Sequence, residues 1–254
     1  MEIMAILNQK GGSAKTTTAV NLSSALAELN KKVLLIDLDP QGSASIWLGF
    51  NNTSKDLFTL FTENVSILDI VSKTQVNGLD FVVSSPWLIS ADKALASEVG
   101  AEMILKNRLY EMNQKYLDYV FIDCPPNLGI MSLNALTAAN KVLVPIETHI
   151  MAVQGLAQLL NTIKTVKDRL SPSLEIDGIL PCRVNKRTRL SKDIISDLRS
   201  RFNSQVYQTT IRESVKLAEA PSFGKPITMY DGKSSGAEDY RSLAHEIIKR
   251  GKCK

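Results

Sequence analysis

The chain has 254 residues, 44% hydrophobic and 22% charged, with 30 Lys plus Arg, 26 Asp plus Glu and a formal net charge of +4. This excludes a disordered chain, a collagen-like fibre and a disulfide-stapled miniprotein, and the length suits one domain over residues 1–254. The mild total hides an asymmetry: residues 1–182 carry 14 basic and 18 acidic side chains, residues 183–254 carry 16 and 8, so the basic last quarter points to a polyanionic partner.

In chain order, Ile3–Leu7 reads as a first strand. Glu2 before it and Asn8 and Lys10 after it are unlike a secretory leader. Lys15–Leu29 follows as a helix and Val33–Leu38 as a strand. The polar stretch Asn51–Asn64 reads as an irregular surface excursion. Strands are then expected at Asp80–Val83, Tyr119–Ile122, Val142–Ile146, Ile176–Leu180 and Val206–Thr210. The intervening helices are Ala91–Gln114, Leu128–Ala139, Val153–Arg169, Ser191–Phe202 and Ala237–Arg250. Near-continuous apolar strands imply a sheet covered on both faces. Their alternation with helices implies an α/β fold: a mostly parallel twisted sheet with helices on both faces and ligand loops at the carboxyl ends of the strands. Cys124, Cys182 and Cys253 have no paired spacing, which argues for reduced thiols and against a zinc site. No apolar run approaches the length of a membrane span, and the expected compartment is the cytoplasm.

The strongest motif is Lys10-Gly11-Gly12-Ser13-Ala14-Lys15-Thr16-Thr17, placed between a strand and a helix. Backbone amides and the positive helix end converge there on an anion. Gly11 and Gly12 permit close approach, Lys15 supplies charge for the β- and γ-phosphates, and the Thr16 hydroxyl suits Mg²⁺. Against the pattern G-x-x-x-x-G-K-[ST], Gln9 and Ala14 stand at the two glycine positions. Two acids end strands nearby, Asp39 in Asp37-Leu38-Asp39-Pro40-Gln41 and Asp123 in Asp123-Cys124-Pro125-Pro126. A carboxylate at a buried strand end needs a cation or donors. Asp123, with Thr16, fits the holding of Mg²⁺. Asp39 fits the orienting of the attacking water and can also reach the metal through a coordinated water.

The lysine-first loop resembles the deviant Walker A loop of the ParA/MinD group of P-loop ATPases, in which position 14 is variable. The Asp37 and Asp123 segments resemble that group's switch I and switch II, with Asn127 where Ser is usual. The similarity continues through Leu133–Ala139, Gln154–Leu156 and Leu217–Pro226, nearly the whole chain, and within the group it is most like the short, DNA-partitioning ParA/Soj type. The resemblance implies ATP and Mg²⁺ as ligands, with Lys10 reaching across an ATP-sandwich homodimer to the partner's nucleotide. It places Cys182, Arg183 and Pro221-Ser222-Phe223 near the adenine, with Cys182 standing where many relatives have Asn. It also implies a ParB-type centromere-binding protein as the stimulating partner and association with the nucleoid.

The run from Arg183 to Lys192 holds five cations and no acid. Few aromatics accompany it, so phosphate contact with nonspecific double-stranded DNA is expected rather than base stacking. The expected contacts are Lys186, Arg187, Arg189, Lys192 and Lys216, with Arg187 and Lys216 matching positions that touch DNA in the family. Tyr240, Leu243, Ala244, Ile247 and Ile248 form an amphipathic stripe ahead of a basic tail. MinD relatives bind membranes with such a helix, but this short stripe without Phe or Trp is expected to pack on the core. Two other functions stay open from the residues: a MinD-like membrane-associated positioning ATPase, and a low-turnover nucleotide-dependent regulatory module in which Ala14 impairs hydrolysis.

Overall fold

A computed structural model describes residues 1–50, 56–63, 65–112 and 116–252, with no side-chain description at 150–154. The first half runs β1 (Glu2–Ile6), α1 (Lys15–Glu28), β2 (Val33–Asp37), α2 (Ser43–Trp47), α3 (Leu57–Thr62), β3 (Val71–Lys73), β4 (Leu79–Val82), α4 (Leu88–Leu95), α5 (Ile104–Glu111) and β5 (Tyr119–Asp123). Then come α6 (Ile130–Ala138), β6 (Lys141–Glu147), α7 (Ile150–Arg169), β7 (Glu175–Cys182), α8 (Arg189–Phe202), α9 (Val215–Glu219), α10 (Ile227–Tyr230) and α11 (Ser235–Lys252).

The strands form one sheet in the order β3-β4-β2-β5-β1-β6-β7. All neighbours are parallel except the edge pair β3 and β4. Successive side chains of a strand point to opposite faces, and both faces here are apolar. Ala5, Leu34, Ile36, Val120 and Ile122 join the core under α4 to α8. Met4, Ile6, Val33, Leu35 and Phe121 join the core under α1 and α11. The α11 stripe is part of that second core: Tyr240, Leu243, Ala244 and Ile247 are buried and the Tyr240 hydroxyl lies 3.3 Å from Thr18 Oγ1.

Three expectations need correction. The helix expected over Ala91–Gln114 is two helices, α4 and α5. Gly100, at φ 82°, turns the chain between them, a conformation that glycine adopts without steric cost. Gln114 lies outside the described residues, as does Cys253. Val206–Thr210 is not a strand: Val206 makes a single bridge to Ile179. Tyr207 instead packs its ring where Gly178 leaves room, since a Cβ there would stand 2.6 Å from that ring. Its hydroxyl bonds Asp177 and the Arg250 guanidinium covers its ring, so an aromatic plug seals this sheet edge. Within the stretch expected to be irregular, α3 is capped by Asp56 and buries Leu57, Leu60 and Phe61; positions 51–55 and 64 lie outside the described residues.

Candidate functional site

The site lies at the carboxyl ends of the central strands, where open α/β sheets take ligands. β1 ends between β5 and β6, and its last residue Ile6 registers against Asp123. Asp37, closing β2, registers against the same Asp123. Neighbouring parallel strands therefore bring two carboxylates, 86 positions apart in sequence, side by side below the loop that leaves β1.

That loop is tied down at its start. Asn8 Nδ2 donates to the Pro145 carbonyl (2.7 Å) and Asn8 Oδ1 accepts from the Lys10 amide (3.0 Å). Gly12 has φ 76° and Ala14 φ 67°, the left-handed region that aims successive amides into one concavity. A Cβ built on Gly11 or Gly12 meets nothing within 4 Å, so open space lies against the backbone on these residues. Lys15, the first residue of α1, is buried, with Nζ donating to the Lys10 carbonyl at 3.3 Å. The Ser13 hydroxyl is buried without a partner.

The acids are under strain that a cation would relieve. Both oxygens of Asp123 and Oδ1 of Asp37 are buried with no hydrogen-bond partner. Burial, and then the Asp37 charge, push the Asp123 carboxyl well above the usual carboxylate range, against the neighbouring Thr16 hydroxyl and the Lys15 charge. Burial raises Asp37 to about 7 although its Oδ2 accepts from the Ser45 amide (2.8 Å) and hydroxyl (2.7 Å). Burial also raises Asp39, opposed by the Gln41 amide and Lys15. Ser84 anchors this acidic turn by donating from Oγ to the Asp39 carbonyl at 2.6 Å. No group of three or more His, Cys, Asp or Glu side chains forms a cage for a metal among the described residues. The orphaned oxygens therefore suit a hard cation that brings most of its ligands with it, as Mg²⁺ does on phosphates.

A cavity of about 280 Å³ opens beside the loop, lined by Ala14 and Thr17 on one side and by Cys182, Arg183, Glu213 and Leu217 on others. It suits the base of a nucleotide whose phosphates lie on Gly11 and Gly12. The structure thus brings Cys182 and Arg183 to the loop. Pro221-Ser222-Phe223 form a separate turn outside the cavity lining, with Phe223 60% exposed and stacked on Tyr230. The walls are instead supplied by Ile211 to Val215, whose sequence carries no recognisable signal, and by Leu217 and Ala218, which open the family-like run Leu217–Pro226. Burial pushes the Cys182 thiol up to about 12 and raises Cys124 further, so both thiols stay protonated. A second cavity, about 760 Å³, lies at the other end of the sheet by Asp177 and Glu246, and none of its lining residues has an orphaned buried polar atom.

The basic run flanks this base cavity. Val184 bridges to Arg212 and its amide bonds the Ile211 carbonyl at 3.0 Å, so residues 183–192 and 211–216 share one surface. Lys186, Lys192 and Arg199 line a concavity of about 500 Å³ there, with Arg199 Nε buried and unpartnered. Lys186, Arg187 and Lys192 have no ion pair among the described residues. Arg189 lies 3.8 Å from Asp193, Lys216 lies 2.9 Å from Glu219 and Arg183 lies 2.8 Å from Glu147.

An open glycine cradle at a strand–helix junction, above strand-end acids that lack partners, is how P-loop NTPases receive a nucleoside triphosphate, and this chain has that fold. A family profile described as an AAA domain matches residues 1–176. The chain is 41% identical to the sporulation initiation inhibitor protein Soj of Bacillus subtilis, over 98% of this chain and 99% of that one. It is 40% identical to the chromosome partitioning protein ParA of Caulobacter vibrioides, over 98% and 95%. The chain belongs to the ParA/Soj family of deviant Walker A partition ATPases. Its fold also superposes, with TM-score 0.87 at 32% identity over 99% of this chain and 96% of the other, on cobyrinic acid a,c-diamide synthase from Mycobacterium smegmatis with bound ATP analog and magnesium. A fold shared with a protein named for different chemistry leaves function to be argued from the site.

Proposed function

We propose that residues 1–254 act as one ATPase domain that partitions DNA, binding nonspecific double-stranded DNA as an ATP-bridged homodimer and leaving it on hydrolysis to ADP. The observation that carries this is the set of orphaned buried oxygens on Asp123, Asp37 and Ser13 beside the open backbone of Gly11 and Gly12. Amides of residues 11–17 and the Lys15 ammonium hold the phosphates. Thr16 and Asp123 hold Mg²⁺, which neutralises phosphate charge. Asp39 holds water for in-line attack on the γ-phosphate, and no covalent nucleophile is needed. Lys10 reaches the nucleotide of the partner protomer, so a lost γ-phosphate opens the dimer. Cys182 and Arg183 flank the base; Pro221, Ser222 and Phe223 support that region from outside its cavity.

DNA phosphates are met by Lys186, Arg187, Arg189, Lys192 and Lys216. The residues 211–218 that wall the base cavity also carry Lys216, which supports a nucleotide-dependent DNA surface. A ParB-type protein is the stimulating partner and the nucleoid the place of action. A membrane role has less support, because the α11 stripe already packs on α1. Sedimentation with Mg-ATP and DNA tests the scheme. Lys10→Ala should remain monomeric and Asp39→Ala should accumulate as an ATP-bound dimer on DNA. A Lys10→Ala protein that dimerises like the parent would sink the cross-protomer role, and absence of any ATP turnover with DNA and partner present would favour the regulatory-module reading.

A further inference from the structure

Lys10 does not project freely from its loop. Its Nζ lies 2.7 Å from His149 Nε2, and the same Nε2 lies 2.9 Å from Glu147 Oε2. The other Glu147 oxygen is held 2.8 Å from Arg183 Nη1. Both ends of this chain are anchored. Asn8 ties the Lys10 amide to Pro145 of β6, the strand that ends in Glu147. His149 sits at the extended residue preceding α7, its amide bonded to the Glu147 carbonyl at 2.9 Å.

One ring nitrogen cannot serve both neighbours. Nε2 carries either a lone pair, which accepts from an ammonium, or a proton, which a carboxylate accepts. With the lone pair at Nε2, the ring holds Lys10. With a proton there, Nε2 donates to Glu147 and presents N–H to an ammonium that can only donate. We infer that His149 is a positioning residue for Lys10: its ring retains the lysine on its own protomer and so opposes formation of the ATP-bridged dimer. This rests on the reading above that Lys10 acts across the dimer. The charged groups facing His149 are Lys10 from the phosphate loop, Glu147 from β6 and, behind Glu147, Arg183 from the end of β7. α7 itself contributes no titratable residue before Lys164.

The contact is solvent-exposed, so its effect is small per protomer, about 2- to 5-fold. A symmetric dimer uses two Lys10 side chains, which squares the factor to about 4- to 25-fold in the dimer dissociation constant. The test is sedimentation of the full chain with saturating Mg-ATP. His149→Ala should dimerise about 4- to 25-fold more tightly than the parent. His149→Gln, whose amide oxygen keeps an acceptor for the ammonium, should match the parent. Binding of an ATP analog to each monomer checks that the nucleotide site is intact. A merely structural histidine predicts the reverse, a weaker dimer on substitution. Equal or weaker dimerisation of His149→Ala, or a dimer of His149→Gln as tight as that of His149→Ala, overturns the proposal. If Lys10→Ala dimerises normally, the cross-dimer reading itself fails; if it is monomeric while the His149 variants behave like the parent, only the role of His149 fails.

Discussion

Ala14 stands at φ 67° and ψ 24°, immediately before the first residue of α1. A side chain in this left-handed region costs about 1–2 kcal/mol, because Cβ crowds the following carbonyl. The residue is held there by the loop it completes: its carbonyl accepts the Thr18 amide at 2.9 Å and starts the helix. Ala14→Gly should therefore stabilise the nucleotide-free protein by about 1 kcal/mol, or roughly 2–4 °C in Tm for a chain of this size. Thermal unfolding without nucleotide measures it, and a lower Tm would show that the φ at position 14 carries no strain. Gly12, at φ 76°, has no such reserve, and any side chain there would add the same strain and fill the open cradle.

At the scale of elements, the segment leading from Asp123 into α6 is fastened by a side chain from another helix. Asp92 of α4 accepts the Met131 amide through Oδ1 at 2.9 Å and so caps α6, whose preceding residue is Gly129 and supplies no cap of its own. A Cβ on Gly129 would lie 2.6 Å from Asp92 Oδ2, so the glycine is needed for that approach rather than for its backbone angles. Losing a cap of this kind costs about 1 kcal/mol. Asp92→Ala should lower Tm by roughly 2–4 °C, and Asp92→Asn, which keeps the Oδ1 acceptor, should recover most of the loss. Equal losses in both variants would show that the contact acts through charge and not as a cap. The single helix expected over residues 91–114 hides this device. Only the break at Gly100 lets α4 turn its Asp92 toward α6 while α5 packs separately.

For the whole molecule, the basic excess of residues 183–254 is narrower than its count. Arg212 is spent on Glu238 and Asp239, Arg250 on Glu246, Arg201 on Asp197, and Arg241 on Glu28 of the acidic body. Of the five side chains expected to meet DNA, Lys186, Arg187 and Lys192 have no ion pair among the described residues, three per protomer, whereas Arg189 and Lys216 face Asp193 and Glu219. If an ATP-bound dimer neutralises about six phosphates with them, log affinity for DNA should fall with log salt at a slope of about −5. Lys192→Ala removes two contacts per dimer and should bring the slope to about −3.5, alike for every DNA sequence. A salt series in a gel-shift assay with ATP measures both, and a slope left unchanged by Lys192→Ala would place the DNA surface elsewhere. Two weak patches joined by one nucleotide-dependent interface bind far better than either alone.

What is contiguous in the chain was legible from the sequence. Residues 10–17 form their loop because glycine, lysine and threonine follow a strand and open a helix, and that order carries the backbone conformation with it. The apolar runs read as Val33–Leu38 and Tyr119–Ile122 declare strands buried on both faces, and Asp39 and Asp123 after them were the acids expected at the site; that β2 itself closes on Asp37 came from the structure. What only the tertiary structure decided depends on which elements the topology sets side by side. Asp37 meets Asp123 because β2 and β5 are neighbours; the cavity beside the glycine loop is walled by residues of the 211–218 segment because Val184 bridges to Arg212; Lys10 meets His149 because β1 and β6 are tied through Asn8. Nothing local distinguishes a paired arginine such as Arg212 from an unpaired one such as Arg187. The opening charge count could not separate them, since pairing is a property of distance in space and composition records only number.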